Sequence, residues 1–183
     1  MPTRDPSATR ARLLAAASRE FNTKGYFGTD TNRIARRAGF APQTFYRHFP
    51  DKIAAFLAVY DAWWQDEFGA LTDALARPAS AAAVARIAVA FHTDWRVFRR
   101  SLRHLAIVEP RVRKARAAAR REQIARQRAR SGIRRSDAQM LGALLAAERL
   151  CDAVADGELD DLKLGRAAQE KLVIAAMKPL MAD

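Results

Sequence analysis

The stretch DTNRIARRAGFAPQTFYRHFPDK, from Asp30 to Lys52, holds two short helical patterns separated at Ala38-Gly39-Phe40-Ala41. In the first, Ile34, Ala35 and Ala38 recur at helical spacing and face inward, leaving Asn32, Arg33, Arg36 and Arg37 outside. Thr29 or Asp30 stands where a capping side chain belongs. Gly39 supplies the tight turn, and Pro42 fits the first position of the next helix, where its missing N–H costs nothing. That second helix has one apolar anchor, Phe45, among Gln43, Thr44, Tyr46, Arg47 and His48. A helix so short, with so many polar groups around one apolar residue, is not core. Its composition suits a helix laid against DNA.

Outward from this stretch the pattern stays helical. After a short polar arm carrying Arg4, Asp5 or Ser7 caps a first helix whose inner face is Leu13, Leu14, Ala17 and Phe21; Lys24-Gly25 ends it. Phe49-Pro50-Asp51 closes the third helix and opens a long fourth, with Ile53, Phe56, Leu57, Tyr60, Trp63, Trp64, Phe68, Leu71 and Leu75 in one apolar stripe up to Arg77-Pro78. That stripe is too broad to serve the first fifty residues alone, so the fourth helix reads as a connector. Further helices are predicted at 80–108, 111–130, 136–155 and 165–181, with breaks at Pro110, Ser131-Gly132 and Asp156-Gly157.

The chain of 183 residues carries 32 Lys and Arg against 20 Asp and Glu, a net charge of +12, which points to a polyanionic partner. Half the residues are apolar, enough for a real core. The single cysteine, Cys151, rules out an intrachain disulfide and falls in the stripe Leu144, Leu150, Cys151, Val154, so it reads as a small core residue. Leu13 to Ala17 is too short for a signal peptide, and no run of eighteen uncharged apolar residues exists; a soluble cytoplasmic protein without a membrane partner is expected. His48, His92 and His104 lack metal-site spacing, and there is no phosphate loop or standout carboxylate pair, so neither enzyme chemistry nor a cofactor is expected.

Leu13-Leu14, Phe21, Gly25-Tyr26, Thr29, Ile34-Ala35, Ala38-Gly39, Thr44, Tyr46, His48-Phe49 and Lys52, at their mutual spacing, resemble the TetR family of bacterial transcriptional regulators. The resemblance covers residues 10–56 and implies an all-α protein. A three-helix helix-turn-helix domain at 1–51 would be joined by the connector to a helical effector-binding and dimerisation domain at 52–183. It further implies that Thr44, Tyr46, His48 and Lys52 hold DNA phosphates, while Asn32, Arg33, Pro42, Gln43 and Arg47 lie nearest the base edges. The chemistry agrees: hydroxyl, phenol, imidazole and ammonium donate to phosphate oxygens. Gln43 has the bidentate geometry for adenine and Arg47 that for guanine, or equally for a phosphate. This chain departs from the family at Ala41, where a capping Ser or Thr is common, and at Phe40 and Ile53.

The family also implies a homodimer built on the last two long helices, here through Met140, Leu141, Leu144, Leu172, Ala176 and Met177. An effector pocket is expected at the aromatic set Trp63, Trp64, Phe68, Phe91, His92, Trp95 and Phe98, with Glu148 or His92 orienting an aromatic or lipophilic ligand. An aromatic stripe at this spacing is more often plain core. The leading expectation is a homodimeric repressor released from a pseudo-palindromic operator by a small molecule. The alternative is a nonspecific or architectural DNA-binding protein without an effector. The basic run from Arg96 to Arg135 has two readings, solvated helix faces or an anionic partner, and the sequence leaves both open.

Overall fold

The computed structural model describes residues 5–76, 80–131 and 135–181, and among them there are helices and no strands. Arg4, Arg77-Pro78 and Gly132, which the sequence reading used as an arm and as breaks, lie outside the described residues. The elements are α1 (Pro6–Lys24), α2 (Thr31–Arg37), α3 (Pro42–Tyr46), α4 (Lys52–Ala76), α5 (Ala81–Asp94), α6 (Arg96–Val108), α7 (Pro110–Ser131), α8 (Asp137–Ala155), α9 (Glu158–Asp161) and α10 (Arg166–Met177). A 3-10 turn at Lys178–Leu180 follows. No helix among the described residues is long and apolar enough to cross a membrane.

The expected helix over 80–108 is two helices, broken at Trp95 (φ −111°, ψ 19°). The cause is a change of buried face: α5 buries Val84, Ala85, Ala88 and His92, whereas α6 buries Phe98, Leu102 and Leu105, out of phase with the first set. The short α9 escaped the sequence reading; Gly157, in the left-handed region at φ 80°, opens it. The last helix ends at Met177 and tightens into the 3-10 turn, where Pro179 has no N–H for another α-helical bond.

The chain packs as two compact units. The first comprises 1–64 with 97–113, so α6 and the start of α7 belong with the first three helices and the first half of α4. Its core stacks Leu13 and Phe21 of α1, Ile34 of α2, Phe45 of α3, Phe56 and Val59 of α4, and Phe98 and Leu102 of α6, all 1% exposed or less. The Phe56 ring lies 5.2 Å from Phe21 and 4.7 Å from Phe98, in edge and stacked geometry that adds to burial. Tyr26 N–H donates to Ser101 Oγ at 2.9 Å, tying the loop after α1 to α6.

The second unit, 65–96 with 114–183, centres on α5, α8 and α10. Val84, Met140, Cys151 and Val173 form its core, and Cys151 is the small buried residue the sequence predicts. Ser136 starts α8 with a capping box, exchanging hydrogen bonds with Gln139.

Much of the basic run is internal structure. Arg116 and Arg120 both pair with Glu148, and Arg128 pairs with Asp137 at 2.7 Å. In the first unit Arg99, only 2% exposed, places its guanidinium 4.8 Å from the Trp63 ring. Arg111 reaches Asp51 at 2.8 Å, the residue that also caps α4 by accepting from Ala54 N–H.

Candidate nucleic-acid interface

The turn between α2 and α3 is set by the backbone first. Phe40 N–H donates to Ala35 O at 2.9 Å and Gly39 N–H to Arg36 O at 3.0 Å, the paired bonds of a Schellman ending. Gly39 sits at φ +77°, a conformation that disfavours L side chains, and a Cβ there would meet a guanidinium nitrogen of Arg12 at 2.9 Å. That guanidinium donates to Ala38 O at 2.9 Å and lies 4.6 Å from the Phe40 ring. Arg12 therefore clamps the turn from α1, a role that no local pattern in the sequence signals.

Helix α3 is five residues long, shorter than the expected 41–49, because after Tyr46 the chain continues as turns, with His48 and Phe49 N–H both donating to Phe45 O. Ala41 gives no side-chain cap, as its chemistry predicts, and Pro42 supplies the first turn. Phe45 is completely buried while Gln43, Tyr46 and Arg47 are exposed, and Pro42, Thr44 and His48 are half-buried. On α2, Asn32, Arg33, Arg36 and Arg37 are exposed. Asp30 caps this helix by accepting from Arg33 N–H at 2.8 Å.

One internal contact joins the two helices on this outer side: the Tyr46 hydroxyl lies 2.9 Å from Thr31 Oγ1. Asn32, Gln43, Thr44, Arg47 and His48 have no side-chain hydrogen bond or ion pair among the described residues. Polar groups left unpartnered on one face are available to a ligand's donors and acceptors.

Lys52 is placed differently from the other phosphate candidates. Its ammonium donates to Tyr26 O and Thr29 O, both at 2.9 Å, and lies 4.1 Å from the Tyr26 ring. Burial holds its pKa below the ordinary value, with Asp30 acting in the opposite direction. The group thus pins the loop between α1 and α2 to the start of α4.

Below that loop, Glu20 is buried and accepts from Thr29 Oγ1 at 2.7 Å and Arg37 Nε at 2.5 Å. Burial alone would raise the Glu20 pKa; the bonds from Thr29 and Arg37 outweigh it and leave the carboxyl below its usual value. Arg37 is consequently tied back to the core rather than free on the face.

The expected effector residues are shared between the units. Trp63, Trp64 and Phe98 are core of the first, with the Trp63 and Phe98 rings 6.3 Å apart. Phe68, Phe91, His92, Trp95 and Glu148 belong to the second. There His92 lies between two carboxylates, Asp152 at 2.8 Å from Nδ1 and Glu67 at 3.2 Å from Nε2. Glu148 is taken by Arg116 and Arg120. Both polar groups expected to orient a ligand have partners inside the unit, His92 between the Asp152 and Glu67 carboxylates and Glu148 between two guanidiniums. A cleft of about 790 Å³ does open in the second unit, but among α5, the end of α8, α9 and α10, and none of the eight residues lines it.

The expected dimer residues divide by helical phase. Met140, Leu144 and Met177 point into the unit's own core at 7% exposure or less. The 140–144–147–151 face of α8 packs on α5 and α10, so these three serve the unit's own core. Leu141 and Leu172 are outward, at 36% and 40%, together with Leu145 at 47%; Ala176 is half-buried.

Residues 13–59 match the family described as bacterial regulatory proteins, tetR family. Over 50 residues the chain is 42% identical to the HTH-type transcriptional activator FasR of Mycolicibacterium smegmatis, covering 27% of this chain and 23% of FasR. Over 48 residues it is 40% identical to the uncharacterized HTH-type transcriptional regulator YdgC of Bacillus subtilis, covering 26% and 25% of the two chains. The chain therefore matches only about a quarter of the length of these curated relatives. Its fold is similar over nearly the whole chain to a putative TetR-family transcriptional regulator from Rhodococcus sp., with a TM-score of 0.70 at 18% identity, covering 96% of this chain and 100% of that one. Salmonella enterica GusR is similar with a TM-score of 0.63 at 17% identity, covering 98% of each chain.

Proposed function

We propose that this chain, which belongs to the TetR family of bacterial regulatory proteins by its segment 13–59 and its fold, is a sequence-specific transcriptional regulator that binds DNA through α2 and α3. The observation that carries this is the outward face on which Asn32, Gln43, Thr44, Arg47 and His48 lack partners while Phe45 alone anchors α3. In this reading Thr44, Tyr46 and His48 donate to phosphates and set register. Asn32, Arg33, Pro42, Gln43 and Arg47 meet base edges, each good bidentate contact contributing about 1–3 kcal/mol of discrimination. Lys52 contributes by holding the 26–29 loop in place, with any phosphate contact secondary to that. The functional division at 1–51 and 52–183 follows from this reading, with α4 as connector.

The working form is a homodimer formed on the outer faces of α8 and α10. Leu141, Leu145 and Leu172 support this, since all three are exposed apolar side chains on those two helices. Two copies of α3 would then occupy successive major grooves roughly 34–36 Å apart on a pseudo-palindromic site. A small-molecule effector that binds the released arrangement better than the DNA-bound one by a few kcal/mol makes the protein a repressor with an inducer.

Selection of bound DNA from a random pool at moderate salt tests the proposal. Enrichment of one short palindrome, with half-sites about one helical turn apart, is expected. Uniform retention of the pool would instead mean nonspecific binding and would sink the assignment. For the dimer, light scattering should give twice the 20.4 kDa chain mass, falling to one chain when Leu141 and Leu145 are both changed to Glu.

A further inference from the structure

The cleft of the second unit has no part in the reading above, and its lining describes a ligand. At about 790 Å³ it is within the range of pockets that hold small molecules, roughly 300–1,000 Å³. Helix α5 lines it from Ala85 to Asp94, about 13 Å of helix at 1.5 Å per residue. Its apolar lining is Ala85, Val89, Ala90, Val154, Ala167 and Val173, all small and aliphatic, with no aromatic ring. Such a wall offers no aromatic face to stack on; it fits an alkyl chain better than a flat aromatic plate.

The charges on the lining decide the head group. Glu170 accepts from Arg86 at 2.8 Å, and Asp160 accepts from Gln169 Nε2 at 2.7 Å. Asp94 has a partner of its own, and the Thr93 hydroxyl donates to Val89 O at 2.8 Å. Asp160 keeps its charge beside the neutral Gln169 amide, and Arg166 is the lining ion that is exposed with neither an ion pair nor a side-chain hydrogen bond among the described residues. A guanidinium in that state takes an anionic oxygen pair, and a carboxylate matches its fork. The surplus of positive charge over the chain favours the approach of the same sign of ligand.

We propose that this cleft is a binding site for a medium-chain aliphatic carboxylate, its alkyl body along Val89, Val154 and Val173 and its carboxylate on Arg166. The site is separate from the aromatic residues first expected to receive an effector. It deepens the effector reading by giving it a place and a chemistry, and rests on that reading only for any consequence at DNA.

The test uses the full chain, free of DNA, with decanoate as probe and decylammonium and acetate as controls, followed by calorimetry and by amide chemical shifts. Decanoate should bind one per chain and shift the Ala90 and Ala167 amides; decylammonium and acetate should bind at least tenfold more weakly. Arg166→Gln should weaken decanoate about tenfold, the lower end of a charge-assisted contact. Ala167→Trp should abolish binding by filling the cleft. Ala90→Phe serves the same end if the first variant fails to fold by circular dichroism. No decanoate binding, equal affinity for decylammonium, or wild-type affinity in a folded cleft-filling variant each overturns the proposal. Addition of decanoate to a DNA complex then separates the two readings. Cleft binding that leaves DNA affinity unchanged keeps the site and removes its role as effector site, and loss of DNA binding in the apo chain bears on the DNA reading alone.

Discussion

Helices α3 and α7 are both rich in polar residues, and they use them in opposite ways. Across the 22 residues of α7, arginines converge on partners inside the chain: Arg116 and Arg120 on Glu148, Arg126 on Glu122 and the face of Phe68, Arg128 on Asp137. In the 5 residues of α3 and the turn that follows, Gln43, Thr44, Arg47 and His48 have no such partner among the described residues. Charge density is higher on α7, where most of the arginines are matched and Arg113, Lys114 and Arg121 are left over, whereas the α3 segment matches none of Gln43, Thr44, Arg47 and His48 among the described residues. The lesson is that a basic segment points to an outside partner only to the extent that the fold leaves its charges unmatched.

The strongest break of this comparison is at the anchor of α3. Phe45→Ala should cost about 3–5 kcal/mol, because a fully buried ring is lost from a helix too short to hold itself, and DNA binding should go with it. A thermal midpoint within a degree or two of the unaltered chain would mean that α3 is held by something else.

Next in size is the matched arginine pair of α7. Glu148→Gln leaves two partly buried guanidiniums without their carboxylate and should cost about 2 kcal/mol in urea unfolding, below the range for fully buried pairs. A negligible change would show these contacts to be surface pairs of little worth and would erase the contrast with α3.

A third prediction concerns pH. The Glu20 carboxyl has a folded pKa below its unfolded value, so the stability it contributes is fully present above the unfolded value and is lost as pH falls through the folded one. The unfolding midpoint should therefore drop as pH is lowered below about 4.5, and Glu20→Gln should flatten part of that slope. A midpoint with the same acid dependence in the variant would remove Glu20 from the account.

The smallest effect on stability is expected where the effect on recognition is large. Arg47→Ala should change unfolding free energy by less than about 0.5 kcal/mol, since the side chain has no intrachain partner among the described residues. The same change should relax preference at one base position of the selected DNA. Equal loss on selected and random DNA would assign Arg47 to phosphate instead.

How much of this was legible in the sequence follows from the range of each signal. Asp30, Gly39 and Pro42 act within a few residues of themselves, so the helix-turn-helix could be read directly, and α3 was misjudged only in length. The break at Trp95 has no Gly or Pro and comes from a shift of buried face that only the two units make necessary. The resemblance gives Lys52 a phosphate role, and Glu148 is expected at a pocket; what the sequence does not show is that each also has intrachain partners 23 to 32 residues away, at Thr29, Tyr26, Arg120 and Arg116. The cleft was illegible for the same reason, being a space between helices with ordinary Ala and Val surfaces.

The single anchor of α3 makes this surface easy to rewrite. Folding there depends on Phe45 from within and on Arg12 and Tyr46 at the edges, whereas Asn32, Gln43 and Arg47 have no side-chain hydrogen bond or ion pair among the described residues. Those three positions can vary almost independently of the scaffold, so a library randomised at them should yield mostly folded proteins with new target preferences.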